Sequence, residues 1–254
     1  TGFDVLSFEY RLAPENPYPA AVEDALAMWD YLMYMGYGAR DIVVAGDSAG
    51  GNLALELCLK LKEQGRAQPR ALLLFSPWTD MTASGKSYKS CKALDPMLTY
   101  EYIEAVRAAY TGSDADWAKP CYSPLFADLR GLPPTLVQVG TNEILRSDSE
   151  RLVEAIHRAG GYAVLEVYAE CWHVFQQMRI HRAVEGLSMA QEWYKVDNVA
   201  KVFLATNTRR DPRVFRISCT LQEQIDPELL NEALRVTAPE WPQFQVTLHR
   251  GLFW

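Results

Sequence analysis

The sequence predicts an α/β fold: a mostly parallel sheet with helices on both faces. Three observations carry that expectation. From residue 3 to residue 192, short apolar runs alternate with helical patterns. The short runs are continuously apolar, as strands buried on both faces must be. One junction, VVAGDSAGGNLAL over 43–55, passes from an apolar strand through Gly46-Asp47-Ser48-Ala49-Gly50 directly into a helical pattern.

Each element has its own signal. Residues 5–10 read as the first strand. Residues 19–37 read as a helix that gathers Ala21, Ala25, Met28, Trp29 and Leu32 on one face. Residues 42–45 form a buried strand and 49–62 a helix; 71–75 form a strand and 100–110 a helix. A strand over 135–139, a helix over 148–159, a strand over 163–167 and a helix over 178–193 complete the series. In such a sheet the chemistry belongs at the loops that leave the C-terminal ends of the strands.

Beyond about residue 196 the pattern changes. Phe215, Ile217, Cys219 and Leu221 alternate with polar residues, describing a half-buried strand. Asp226-Pro227 pairs an N-cap with proline at the first helical position and opens a helix to about Val236. Phe244, Val246 and Leu248 give another alternating strand. The expected organisation is a domain over 1–195 followed by an incomplete α+β segment over 196–254. Thr1 opens the chain just before a strand-like run and Trp254 closes it inside HRGLFW, which reads as a segment cut from a longer protein at both ends.

Composition narrows the function classes. The formal charge of −7 argues against nucleic acid or an anionic membrane as the main partner. Five scattered cysteines without a CxxC pair fit reduced thiols better than a disulfide framework or a zinc site. There is no run of about 18 apolar residues for a membrane span, and no signal-peptide pattern is visible, so a cytoplasmic location is expected.

The serine between glycines carries the chemistry. Strand, G-x-S-x-G, helix is the arrangement of a nucleophile elbow, in which a sharp turn projects the serine hydroxyl from the sheet edge. Gly46 and Gly50 let the helix cross close behind the strand. The helix N-terminus beneath Ser48 favours negative charge, and the Ala49 N–H is placed to meet a developing oxyanion. The alternative is a Gly/Ser turn that only connects two elements. A serine nucleophile needs a base. Of the four histidines, His157 reads as a cation in the last turn of a helix, His181 lies in a helix and His249 in the tail's strand. His173 follows the 163–167 strand in a loop at the same sheet edge as Ser48. The orienting acid should fall between serine and histidine in the chain. Glu143 and Asp148, in LVQVGTNEILRSDSERL, compete for that place. Ser147 and Glu150 have the spacing of a capping box, which accounts for Asp148 as a first-turn carboxylate. Glu143 has no such account, and it is the acid assigned here.

These residues together resemble the hormone-sensitive-lipase-like esterases of the α/β-hydrolase superfamily. YRLAPENPYPA (10–20), GDSAGGNLA (46–54), SPWTD (76–80) and HVF (173–175) occur in that family's order and spacing, over about residues 1–193. The resemblance implies the α/β-hydrolase fold. It implies a serine carboxylesterase acting on short- to medium-chain acyl esters through an acyl-enzyme on Ser48, with no metal or organic cofactor. The family usually shows Asp where Glu143 stands, although some members resemble this chain in using Glu. It also carries a His-Gly-Gly loop with oxyanion donors upstream of its YRLAPE-like strand, and a third strand between the equivalents of 5–10 and 42–45; both fall outside this sequence. The 5–10 strand is therefore expected either to lack a ladder partner or to pair directly with 42–45. Aromatics between 94 and 131 (Tyr100, Tyr102, Tyr110, Trp117, Phe126) either cover the substrate pocket or simply pack. The tail, 214–248, resembles the opening of acyltransferases with the chloramphenicol-acetyltransferase or condensation-domain fold. Acyl transfer to an alcohol, or a non-catalytic binding module on a hydrolase fold, are the rival readings. The expected partner is a small-molecule ester; the oligomeric state is not legible.

Overall fold

A computed structural model describes residues 4–193, 216–219 and 246–250. Its centre is one seven-stranded sheet in the order β5-β4-β3-β2-β6-β1-β7. The strands are β1 (Asp4–Glu9), β2 (Val43–Asp47), β3 (Ala71–Phe75), β4 (Thr135–Gly140), β5 (Ala163–Tyr168), β6 (Arg216–Cys219) and β7 (Val246–Arg250). β2 to β5 are parallel neighbours, in registers such as Val43 with Ala71 and Leu72 with Thr135. Every residue of β2, β3 and β4 is buried, which is why these strands read as unbroken apolar runs. β5 lies at the sheet edge and is only partly buried.

The expectation for the first strand needs correction. β1 neither lacks a partner nor pairs with β2. β6 lies between them, antiparallel to both, with Cys219 opposite Leu6 on one side and Val44 on the other. β7 pairs antiparallel along the far side of β1. The physical demand is the same one that framed the expectation: buried backbone N–H and C=O groups must be paired. Hydrophobic period does not identify the partner, so a strand distant in sequence was not legible as the neighbour. The helix expected over 226–236 lies outside the described residues.

The helices are α1 (Ala20–Tyr34), α2 (Ala49–Glu63), α3 (Ser87–Ser90), α4 (Tyr100–Thr111), α5 (Arg146–Arg158) and α6 (His181–Trp193). α1 buries the stripe read from the sequence, Ala21, Ala25, Met28, Trp29 and Leu32. It is pinned to the preceding loop by Arg11, whose backbone N–H and Nε donate to the buried Asp24 carboxylate at 2.8 and 2.9 Å. α4 is capped by Thr99, which accepts from the Tyr102 N–H at 3.1 Å. α6 starts three residues later than expected, because Met178 is extended and separates it from a 3-10 turn over Phe175–Gln177. α5 starts at Arg146, before Ser147, so the expected capping box does not form. Ser147 instead exchanges hydrogen bonds with Ser87, N–H to Oγ in both directions, at 2.8 and 2.9 Å.

The main core lies between the sheet and its flanking helices. A second apolar cluster gathers Trp78, Met81, Tyr88, Leu98, Ile103, Ile144 and Leu145, with Ala49, Tyr100, Tyr110 and Trp117 packed against it. Most of the aromatics noted between 94 and 131 thus do packing work: Trp117 lies under the Arg107 guanidinium, 3.7 Å from its ring centroid. Tyr102 and Phe126 are exposed. Among the described residues no helix is long and apolar enough to cross a membrane.

Candidate active site

The site begins where β2 turns into α2. Ser48 has φ 53° and ψ −119°, a backbone conformation that costs a non-glycine residue of order 1–3 kcal/mol. The surroundings hold it there. Its N–H donates to Phe75 O at 2.9 Å, and its carbonyl accepts from Gly51 and Trp78 at 3.1 and 3.0 Å. The close crossing of helix and strand depends on missing side chains. A Cβ on Gly46 would lie 2.3 Å from Gly50 O, and one on Gly51 would lie 2.8 Å from Pro77 Cβ. Ser48 and Ala49 are half-buried between fully buried neighbours, and Ala49 is the first residue of α2.

His173 and Glu143 arrive from the loops after β5 and β4. His173 Nε2 lies 2.9 Å from Ser48 Oγ, and His173 Nδ1 lies 3.2 Å from Glu143 Oε2. Glu143 is fully buried and His173 nearly so. A carboxylate can only accept, so the Nδ1 of this contact carries the proton and Nε2 presents its lone pair to the serine hydroxyl. The other carboxylate oxygen, Oε1, accepts from Ser76 Oγ at 2.8 Å and from the Gly140 N–H. The sequence reading named Ser48, Glu143 and His173, and these three form one continuous hydrogen-bonded chain.

Asp148, the competing acid, is elsewhere. Its Oδ2 accepts from the Thr79 and Asp80 N–H groups, both at 2.9 Å, and lies 3.3 Å from Tyr88 OH. It lies in the first turn of α5, as expected, but is fully buried there and holds the SPWTD loop to that helix. Burial, and then the neighbouring Asp80, push its carboxyl well above the usual range. His157 and His181 stand apart. His157, in the last turn of α5, donates from Nε2 to Ala163 O at 2.8 Å, at the start of β5. His181 is exposed at the start of α6.

Two residues around this chain are not singled out by the sequence. Ser76 touches Glu143, and its Oγ also accepts from the Val174 N–H at 3.1 Å. Asp47, directly before Ser48, is buried and accepts from Gln177 Nε2 at 2.7 Å. Burial pushes the Asp47 carboxyl up to about 6, partly offset by the neighbouring His173 and by the Gln177 bond. The signals were present as the Ser of SPWTD and the Asp of GDSAG, but no periodicity distinguishes a residue that supports a site from one that fills a turn. Among the described residues no group of three His, Cys, Asp or Glu could hold a metal ion.

A largely parallel sheet whose elbow serine meets a histidine and a carboxylate from successive strand loops defines an α/β-hydrolase. The chain belongs to that family: the alpha/beta hydrolase fold pattern matches residues 1–177. It is 40% identical over 176 residues to an esterase of Acinetobacter venetianus, covering 69% of this chain and 58% of that protein. It is 37% identical over 174 residues to an acetyl-hydrolase of Streptomyces hygroscopicus, covering 68% and 58%. The chain therefore spans somewhat over half the length of these relatives. Among solved structures, an esterase of the bacterial hormone-sensitive lipase family superposes with a TM-score of 0.70 at 39% identity, over 72% of this chain and 62% of that one. EstE5, soaked with p-nitrophenyl butyrate, gives a TM-score of 0.69 at 36% identity over the same shares.

Proposed function

We propose that this protein is a serine carboxylesterase of the hormone-sensitive-lipase-like branch, and that it hydrolyses short- to medium-chain acyl esters. The observation that carries the proposal is the chain Ser48 Oγ to His173 Nε2 and His173 Nδ1 to Glu143 Oε2, at 2.9 and 3.2 Å. Ser48 Oγ attacks the ester carbonyl carbon as its proton passes to His173 Nε2. The carbonyl π electrons move onto oxygen, where the Ala49 N–H at the positive end of α2 stabilises the charge. Collapse breaks the bond to the alkoxide, which takes the proton from Nε2. Water then attacks the acyl-enzyme with His173 again as base, releasing acid and restoring Ser48. Glu143 keeps the productive tautomer and balances the imidazolium. The esterase and acetyl-hydrolase names of the relatives, and the butyrate ester soaked into EstE5, support the reaction class and a short acyl group. Among the described residues Cys58, Cys91, Cys121 and Cys171 are free thiols, which supports a reducing, cytoplasmic setting.

The test is labelling with a fluorophosphonate probe together with hydrolysis of p-nitrophenyl butyrate. Labelling at Ser48, and turnover lost in Ser48→Ala and His173→Ala, is expected. An unlabelled, folded protein would identify a binding module instead. Ester rather than free acid as the main product, with alcohol added, would identify a transferase.

A further inference from the structure

Three residues next to the proposed catalytic chain occupy the left-handed backbone region without being glycine: Ser48 at φ 53°, Ser76 at φ 48° and Val174 at φ 49°. The bend at Ser48 is the elbow and the one at Val174 follows His173. The bend at Ser76, directly after β3, has no part in the reaction as written. Its cost is met by a fixed purpose, because the bend places the Ser76 hydroxyl between the Glu143 carboxylate and the Val174 N–H.

The hydrogen bonds around Ser76 leave no freedom. Its N–H donates to Gln138 O on β4 at 2.8 Å. Its hydroxyl has one proton, and Glu143 Oε1 at 2.8 Å can only accept, so the proton points there. A lone pair of the same oxygen then accepts the Val174 N–H at 3.1 Å. Ser76 is fully buried, so no water competes for either bond. On Glu143, Oε1 is thus held by two donors, Ser76 Oγ and the Gly140 N–H. The carboxylate cannot turn, and Oε2 is left to His173.

We propose that Ser76 is a positioning residue for the reaction: its hydroxyl locks the Glu143 carboxylate in rotation and ties it to the turn that carries His173. This rests on the esterase reading above. Ser76 touches neither substrate nor the reacting atoms; it acts through Glu143 and Val174.

The test compares Ser76→Ala, Ser76→Gly, Glu143→Ala and Ser76→Ala/Glu143→Ala in hydrolysis of p-nitrophenyl butyrate, with melting temperatures for all. Losing a hydrogen bond to a charged group corresponds to about a 10- to 100-fold fall in kcat, with KM little changed. Glycine relieves the bend at φ 48° but supplies no hydroxyl, so Ser76→Gly should lose as much kcat as Ser76→Ala. In the Glu143→Ala background, which has no carboxylate to hold, removing the hydroxyl should change kcat less than about threefold. The proposal is overturned if Ser76→Ala retains its kcat. It is overturned if glycine restores kcat, which would make the bend alone important, or if the loss persists in full without Glu143. Failure of the esterase reading would show differently, as Glu143→Ala with undiminished turnover or a wild-type protein without any.

Discussion

Gly140 and Cys171 meet where no side chain fits: a Cβ on Gly140 would lie 2.2 Å from Cys171 O. Gly140 ends β4, three residues before Glu143, and Cys171 lies two residues before His173. The loops are closed by further bonds, Asn142 N–H to Cys171 O at 2.9 Å and Glu170 N–H to Thr141 Oγ1 at 2.8 Å. The contact between Glu143 and His173 therefore depends on a backbone approach several residues away. Gly140→Ala is expected to drive the loops apart. A displacement of about 1 Å is worth roughly a hundredfold in rate, and overpacking costs about 1–3 kcal/mol of stability. Kinetics and urea melts of the variant check both; full turnover would show that the loops separate without moving the two side chains.

In the proposed mechanism Ser48 and His173 act as one unit. Ser48→Ala and His173→Ala should each nearly abolish ester hydrolysis, and the double variant should lose little more than either alone. Steady-state assays with p-nitrophenyl butyrate measure this. Losses that multiply would mean that the two residues contribute separately, and the serine–histidine relay would fall.

Much of this site was legible because its chemistry dictates both order and place. A serine on an elbow must sit between a strand and a helix, and a base must come from a loop at the same sheet edge. Those constraints singled out Ser48 and His173. Glu143 emerged by elimination, and part of that elimination used a capping box that does not form: Ser147 pairs with Ser87, and Asp148 binds the Thr79 and Asp80 N–H groups. The sequence contains nothing local that pairs α5 with the SPWTD loop, since those partners are about 70 residues apart. The same holds for β6 beside β1. Long-range pairing of backbone groups leaves no periodic trace, whereas burial on both faces leaves a plain one in β2, β3 and β4.

The two carboxylates should separate by kind of damage. Glu143→Gln keeps the shape but loses the charge opposite the imidazolium, and is expected to lower kcat by about a thousandfold with little loss of stability. Asp148→Asn keeps an oxygen for the Thr79 and Asp80 N–H groups and removes a group already driven toward its neutral form by burial. Its kcat should stay within about threefold of the wild type. Asp148→Ala leaves two buried donors without an acceptor and should cost at least about 2 kcal/mol of stability. Parallel activity and unfolding measurements distinguish these outcomes; a thousandfold loss of kcat in a folded Asp148→Asn would reverse the assignment of the acid.

A final prediction concerns Glu56, on α2 two turns beyond Ser48. It is buried at 2% exposure, and its Oε1 has no hydrogen-bond partner among the described residues. Burial pushes its carboxyl from 4.5 up to about 8; Lys60 pulls it down and Glu63 pushes it further up. Below about pH 4.5 the group is neutral in both folded and unfolded chains and costs nothing. As pH rises from there, the unfolded chain releases the proton while the folded one keeps it. The unfolded state then binds fewer protons, so stability falls until the folded carboxyl ionises near pH 8 and the loss levels off. The full loss is on the order of 5 kcal/mol. Glutamine cannot ionise, so Glu56→Gln should match the wild type near pH 4.5 and become progressively more stable than it up to pH 8. Asp47 and Asp148, also raised by burial, titrate in both proteins and cancel in the difference. Urea melts of the two proteins at pH 4.5, 6.5 and 8.5 make the comparison. A gap that does not widen with pH would show that Glu56 is already ionised at neutral pH, with a partner for its charge.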